Sequence, residues 1–211
     1  MSSLPLEKLH VVRARDLPKP PSVERSRPFG YASLIGRLVE LTGGNGSICL
    51  SPLAALIREA QELGEPVAWV RTGDSVFFPP DMASNGIDLE ALCVVQATGL
   101  RQGVRATRQL LGCGAFGLVV LDVEGDEAIP QGVLGRFARL AEKNGATLIC
   151  ISPPGGRQSG FGSLISLRAG TRLQRLEPGM FRCELEVTKD KRSGAGPHRV
   201  GEVRRGPPGL C

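Results

Sequence analysis

Apolar and polar positions fall into two alternating rhythms through the middle of the chain. Residues 36–41 (GRLVEL) form a short apolar run of strand character. Pro52 then opens a helix at the position where its missing N–H costs nothing. Leu53, Leu56, Ile57, Ala60 and Leu63 recur along it at helical spacing until Gly64 ends it. Residues 67–71 (VAWVR) predict the next strand and residues 92–96 another, with a helix following over residues 103–111. Residues 118–122 (LVVLD) are wholly apolar up to a closing carboxylate, the pattern of a strand buried on both faces in a parallel sheet. A helix over residues 132–143 turns Phe137, Leu140 and Ala141 inward, and residues 147–152 (TLICIS) predict a further strand.

Beyond residue 152 the helical rhythm stops. Strand-like runs at residues 163–168, 172–176 and 183–188 are separated by too few residues for helices. The expected fold class is therefore α/β: a mainly parallel twisted sheet flanked by helices, with an antiparallel C-terminal extension. Residues 31–192 read as one core. Residues 1–30 carry Pro5, Pro18, Pro20, Pro21 and Pro28 between charges and read as a proline-rich basic arm, with at most a short strand at residues 9–12. Residues 193–211 are rich in Gly, Pro and Arg and read as a flexible tail.

Composition narrows this picture only in places. A chain of 211 residues suits one medium domain with a sizeable core. Aromatics are only 4%, so that core must be largely aliphatic. Charge is uneven: residues 1–30 carry a net +3, residues 31–167 a net −3 and residues 168–211 a net +5. Basic ends on an acidic middle point to a polyanion or an acidic partner, or simply to solvated charge. The six cysteines form no C-x-x-C pair and the two histidines, His10 and His198, lie near opposite ends, so no metal site is expected. Four cysteines sit in or beside apolar runs, as small buried hydrophobes do, and reduced thiols in the cytoplasm are the expectation. No run has signal-peptide or membrane-span character.

The turn after the first strand is where this architecture binds phosphate, because backbone N–H groups and a helix dipole converge there. A working P-loop needs G-x-x-x-x-G-K-[ST]. Counting from Gly43, the second glycine falls on Ile48, the lysine on Cys49 and the metal-holding hydroxyl on Leu50. All three positions lack the required chemistry, and a β-branched Ile48 blocks the close backbone approach. Gly44, Asn45, Gly46 and Ser47 retain only a weak anion nest. Asp122 ends a Walker B-like strand, and Asp74 is the local candidate for a water-orienting carboxylate. No ATPase activity and no cofactor are expected.

Taken in order, these segments resemble the bacterial recombinase RecA. Residues 36–41 resemble its first core strand, residues 53–61 its following helix, and residues 85–92 (NGIDLEAL) its G-V-D-x-x-x-L segment. Residues 118–122 correspond to its Walker B strand, and residues 187–191 (VTKDK) to its V-x-K-N-K run. On this alignment the family's catalytic glutamate falls at Gly73, one residue before Asp74. The loss of lysine, hydroxyl and carboxylate together resembles ImuA, the RecA-related accessory protein of bacterial SOS mutagenesis cassettes. SulA-like division inhibitors, with a related shortened fold, are the lesser resemblance. The ImuA resemblance implies a non-hydrolysing, nucleoid-associated role in the DNA damage response. Its implied partners are RecA, an ImuB-type polymerase homologue and single-stranded DNA. A direct single-stranded DNA-binding module, or a weak non-standard ATPase using Asp122 and Asp74, are the alternatives.

Several surfaces are candidates for such binding. In RecA the segment after the fifth core strand is a loop that contacts single-stranded DNA; here it is residues 153–162, where Arg157 would meet a phosphate and Phe161 a base. Phe161 tucked onto the core is the competing reading. Arg168, Arg172, Arg175, Lys189, Lys191 and Arg192 lie on or beside the last strands and would form a basic patch if adjacent. Arg101, Arg105 and Arg108 recur at spacings of four and three on one helix face, which is either solvated or a docking face.

Overall fold

A computed structural model describes residues 29–43, 50–73, 77–125, 127–152, 161–192 and 198–205. Among them, helix α1 (Tyr31–Leu34) leads into β1 (Leu38–Gly43) and α2 (Ser51–Glu62), then β2 (Val67–Thr72), α3 (Pro79–Ser84) and β3 (Leu92–Ala97). Helix α4 (Leu100–Cys113), β4 (Leu118–Asp122), α5 (Gln131–Asn144) and β5 (Thr147–Ser152) follow. The chain continues as β6 (Leu167–Glu177), β7 (Met180–Asp190) and β8 (His198–Arg205). The strands form one sheet in the order β3-β2-β4-β5-β1-β6-β7-β8. Strands β1 to β6 run parallel, while β7 pairs antiparallel with both β6 and β8.

Alternation along the strands divides the core between the two sheet faces. Val39, Leu41, Val67, Trp69, Leu118, Val120, Ile149 and Ile151 pack under α1, α2 and α3. Leu38, Val70, Val119, Leu121, Leu148 and Cys150 pack under the opposite layer, with Leu111 of α4 and Leu134 and Phe137 of α5. Burial on both faces explains why β4 reads as continuous apolar sequence. Helices α4 and α5 stop at Gly114 and Gly145, whose φ values of 69° and 65° supply the left-handed C-cap.

The main departures from sequence expectation lie at the ends and in the late strands. Residues 163–168 and 172–176 are not two strands: the strand-forming residues from 167 onward belong to the single long strand β6, with no turn between. Pairing to β7 runs along its whole length, with β1 paired on the other side over Leu167–Thr171, so no break falls between the two runs. The presumed tail contains β8, which pairs along β7 from Met180↔Arg205 to Val187↔His198. A free edge of β7 supplies the hydrogen-bonding partner that local periodicity could not reveal. Helix α3 is not predicted by apolar spacing, because its six residues begin with two prolines and bury only Met82. Residues 1–28 of the arm and the rest of the tail lie outside the described residues. Phe29, just inside the arm, packs against the core.

Cys150 is buried and free, Cys93 and Cys113 are exposed and free, and Cys183 is disulfide-bonded to a partner outside the described residues. The expectation of reduced thiols thus fails at Cys183, because pairing depends on which segments the fold brings together. Among the described residues no helix is long and apolar enough to cross a membrane, and no group of three or more His, Cys, Asp or Glu could hold a metal ion.

Candidate functional site

The C-terminal edge of the parallel strands gathers the residues read as a degenerate nucleotide site. Asp122 closes β4, which is separated from β1 by β5 alone. Residues 44–49, including Ile48 and Cys49, lie outside the described residues, as does Asp74. Gly43 ends β1, half-buried. Leu50, at the N-cap of α2, packs against the core cluster and offers no side-chain cap. An aliphatic group that buries itself there has no lone pair for a metal.

Asp122 shares its face with Arg71, its Cα partner on β2. Nothing in the sequence singles Arg71 out, since one arginine at a strand end carries no motif. Its Nε is buried without a hydrogen-bond partner among the described residues, as is Nε1 of Trp69 two residues earlier. Trp69 meets Phe77 edge to face, with ring centroids 5.4 Å apart. Arg71 thus puts a permanent cation on the strand beside the one that ends in the Walker B-like Asp122.

Gly73, the position that the resemblance to RecA aligns with a catalytic glutamate, adopts φ +64°. A β-carbon there would collide with the Glu124 carboxylate, and its backbone is held by Gln96 Nε2 donating to the carbonyl at 2.6 Å. Thr72 braces the same end: its hydroxyl donates to the Asp122 carbonyl at 3.2 Å and accepts from the Glu124 N–H at 2.9 Å. The left-handed backbone therefore favours glycine at position 73, and a side chain there would also require the Glu124 carboxylate to move.

The nucleic-acid candidates are sorted differently. Arg157 lies outside the described residues. Phe161 is only 9% exposed and belongs to the cluster under α5, so its ring is not presented to a base. Its backbone carbonyl accepts from Gln131 Nε2 at 3.4 Å. Arg168 donates through Nε to Glu40 at 2.6 Å and is a partner of a buried carboxylate, not a spare cation. Lys189 and Lys191 converge with it: both Nζ atoms donate to the Ser163 carbonyl, at 3.4 and 2.6 Å. Desolvation, then repulsion from Lys191 and Arg168, lowers the Lys189 pKa below the usual lysine range. Arg192 turns away and donates to the Ile35 carbonyl at 3.3 Å. Arg172 is exposed, four positions further along β6, or about 13 Å at strand rise.

A mostly parallel sheet with alternating strands and helices makes this an α/β fold consistent with the Rossmann/RecA-like arrangement. No family model matches the chain, and comparison with curated proteins finds no match.

Proposed function

We propose that this protein is a non-hydrolysing RecA-like accessory factor of the DNA damage response, one that binds RecA and an ImuB-type polymerase homologue to modulate recombination and induced mutagenesis. The observation that carries the reading is the state of the nucleotide-site edge: an aliphatic Leu50 packed against the core where a metal-holding hydroxyl would stand, and a left-handed Gly73 without a side chain where a catalytic carboxylate would stand. A sheet retained while its hydrolytic groups are gone is a scaffold for contacts.

Strand β3 supports the contact side of this reading. It is an edge strand, LCVVQA, with no charge and no proline to blunt it. Val94 on it is 41% exposed, and Phe78 and Leu89, at the ends of the connection from β2, are 53% and 38% exposed.

The test is equilibrium binding of the purified protein to RecA, with and without single-stranded DNA, by light scattering or interferometry. Saturable binding at micromolar concentration or below supports the reading. Absence of binding in both states sinks it and leaves a direct single-stranded DNA-binding module as the reading. Deletion of residues 1–30 is expected to abolish RecA binding if the arm supplies the docking segment. ATP hydrolysis is expected to stay at the level of an Asp122→Ala variant.

A further inference from the structure

Residues 31–167 carry a net negative charge, yet their charges are segregated between the two helical layers. Of the ten lysines and arginines in this stretch, six lie on α4 and α5: Arg101, Arg105, Arg108, Arg136, Arg139 and Lys143. Of its thirteen acidic residues, only Glu142 lies on those helices. The acids gather elsewhere, with Glu59 and Glu62 on α2 and Glu65, Asp81, Asp88 and Glu90 in the segments beyond it.

All six cations are exposed, and none makes an ion pair or hydrogen bond among the described residues. This sets them apart from Arg37, Arg58 and Arg168, which are paired with carboxylates, and from Lys189, Lys191 and Arg192, which are tied to backbone carbonyls. The spacing 101, 105, 108 places three on one stripe of α4, and 136, 139, 143 places three on one stripe of α5.

The stripes run side by side. Both helices are crossovers between parallel strands, α4 from β3 to β4 and α5 from β4 to β5, so they point the same way on one face of the sheet. Packed helices lie about 8–10 Å apart, and each stripe covers about 10 Å of helix. Counted from the first residue of each helix, Arg105 stands level with Arg136 and Arg108 with Arg139.

We propose that the outer face of α4 and α5 binds the phosphate backbone of nucleic acid without regard to sequence. Protein interfaces are centred on buried apolar anchors. None of the exposed large hydrophobic residues lies on α4 or α5. Phosphate binding needs no such anchor, because released counterions supply the free energy. Five of the six cations are arginines, whose planar forks fit phosphate oxygens two at a time. Contacts to phosphate alone position a duplex without reading it. The inference does not rest on RecA binding, and it uses neither the residue 153–162 loop nor the late strands.

The test is fluorescence anisotropy with labelled 30-base-pair DNA duplexes of two unrelated sequences, at several salt concentrations. Two variants strip the arginines from the stripes: Arg101→Ala/Arg105→Ala/Arg108→Ala, and Arg136→Ala/Arg139→Ala. Alanine keeps both helices formed, which circular dichroism verifies. Each variant is expected to bind at least tenfold more weakly and to lower the salt slope by about 0.9 for each phosphate no longer neutralised. The same arginines changed to lysine are expected to retain most of the affinity. The comparison variant Arg172→Ala/Lys189→Ala/Lys191→Ala is expected to stay within about threefold of the unchanged protein. Wild-type protein that binds neither duplex at low salt overturns the proposal. So does undiminished binding by both stripe variants, a loss confined to the comparison variant, or a preference above twentyfold for one duplex.

Discussion

Glu40 and Arg168 form an ion pair of unequal burial: the Glu40 side chain is fully enclosed, whereas Arg168 is 25% exposed, and its Nε lies 2.6 Å from the carboxylate. They sit on adjacent parallel strands as register partners, so the pair ties β6 to the strand that begins the core. Removing a partner of a buried carboxylate leaves uncompensated charge, at a cost of about 3–5 kcal/mol for full burial. The open side of Arg168 and the nearby Lys189 place Arg168→Ala at about 3 kcal/mol, the lower end of that range. Glu40→Gln keeps the volume and one acceptor and is expected to cost less. Urea denaturation of the two variants checks the order.

Arg37 and Asp190 are a second buried pair, 3% and 6% exposed. Arg37 also donates to the Ser166 hydroxyl and carbonyl, at 3.2 and 3.0 Å, and Asp190 accepts the Arg192 N–H at 2.8 Å. One guanidinium thus holds the start of β1, the approach to β6 and the end of β7. Asp190→Ala is expected to cost about 3–5 kcal/mol in urea denaturation. The exposed pair Arg58–Glu62, one helical turn apart, serves as the contrast: Glu62→Ala is expected to cost under about 1 kcal/mol.

Gly103 lets α4 approach the sheet. A β-carbon there would stand 2.5 Å from Cγ2 of Thr72. Gly103→Ala is expected to destabilise by about 1–3 kcal/mol through overpacking, despite the better helix propensity of alanine. Thr72→Ser removes that methyl and keeps the hydroxyl that serves Asp122 and Glu124. The cost of Gly103→Ala is therefore expected to shrink in the Thr72→Ser background, a coupling that a double-mutant cycle reads directly.

Burial, reinforced by the Glu40 carboxylate, raises the Cys150 thiol well above its ordinary value of 9.0. Such a group resists ionisation in the folded chain, so its contribution to stability is complete below about pH 9 and declines as pH rises toward the folded value. Alkaline denaturation is expected to be less steep in Cys150→Ala than in the unchanged protein. At pH 8, Cys93 and Cys113 are expected to alkylate rapidly and Cys150 only on unfolding, as mass spectrometry would resolve.

The alternating elements were legible in sequence because each has its own period. Strands β2, β4 and β5 and helices α2 and α5 fall within a residue or two of where apolar spacing places them. The missing P-loop chemistry at Ile48, Cys49 and Leu50 was equally legible, since it depends only on residue identity. Local pattern was silent wherever the partner is distant in the chain. It gave no sign that residues 167–177 run as one strand or that residues 198–205 find the edge of β7, and it left Phe161 open between base contact and core, which burial decides for the core. Charge shows the same division. The sequence by itself determined that cations recur along α4, and composition alone determined that the middle of the chain is acidic. Only the tertiary structure decided that α4 lies beside α5 on one face and that Arg168 is taken up by a buried glutamate, because residues 40 and 168 meet only through the parallel pairing of their strands.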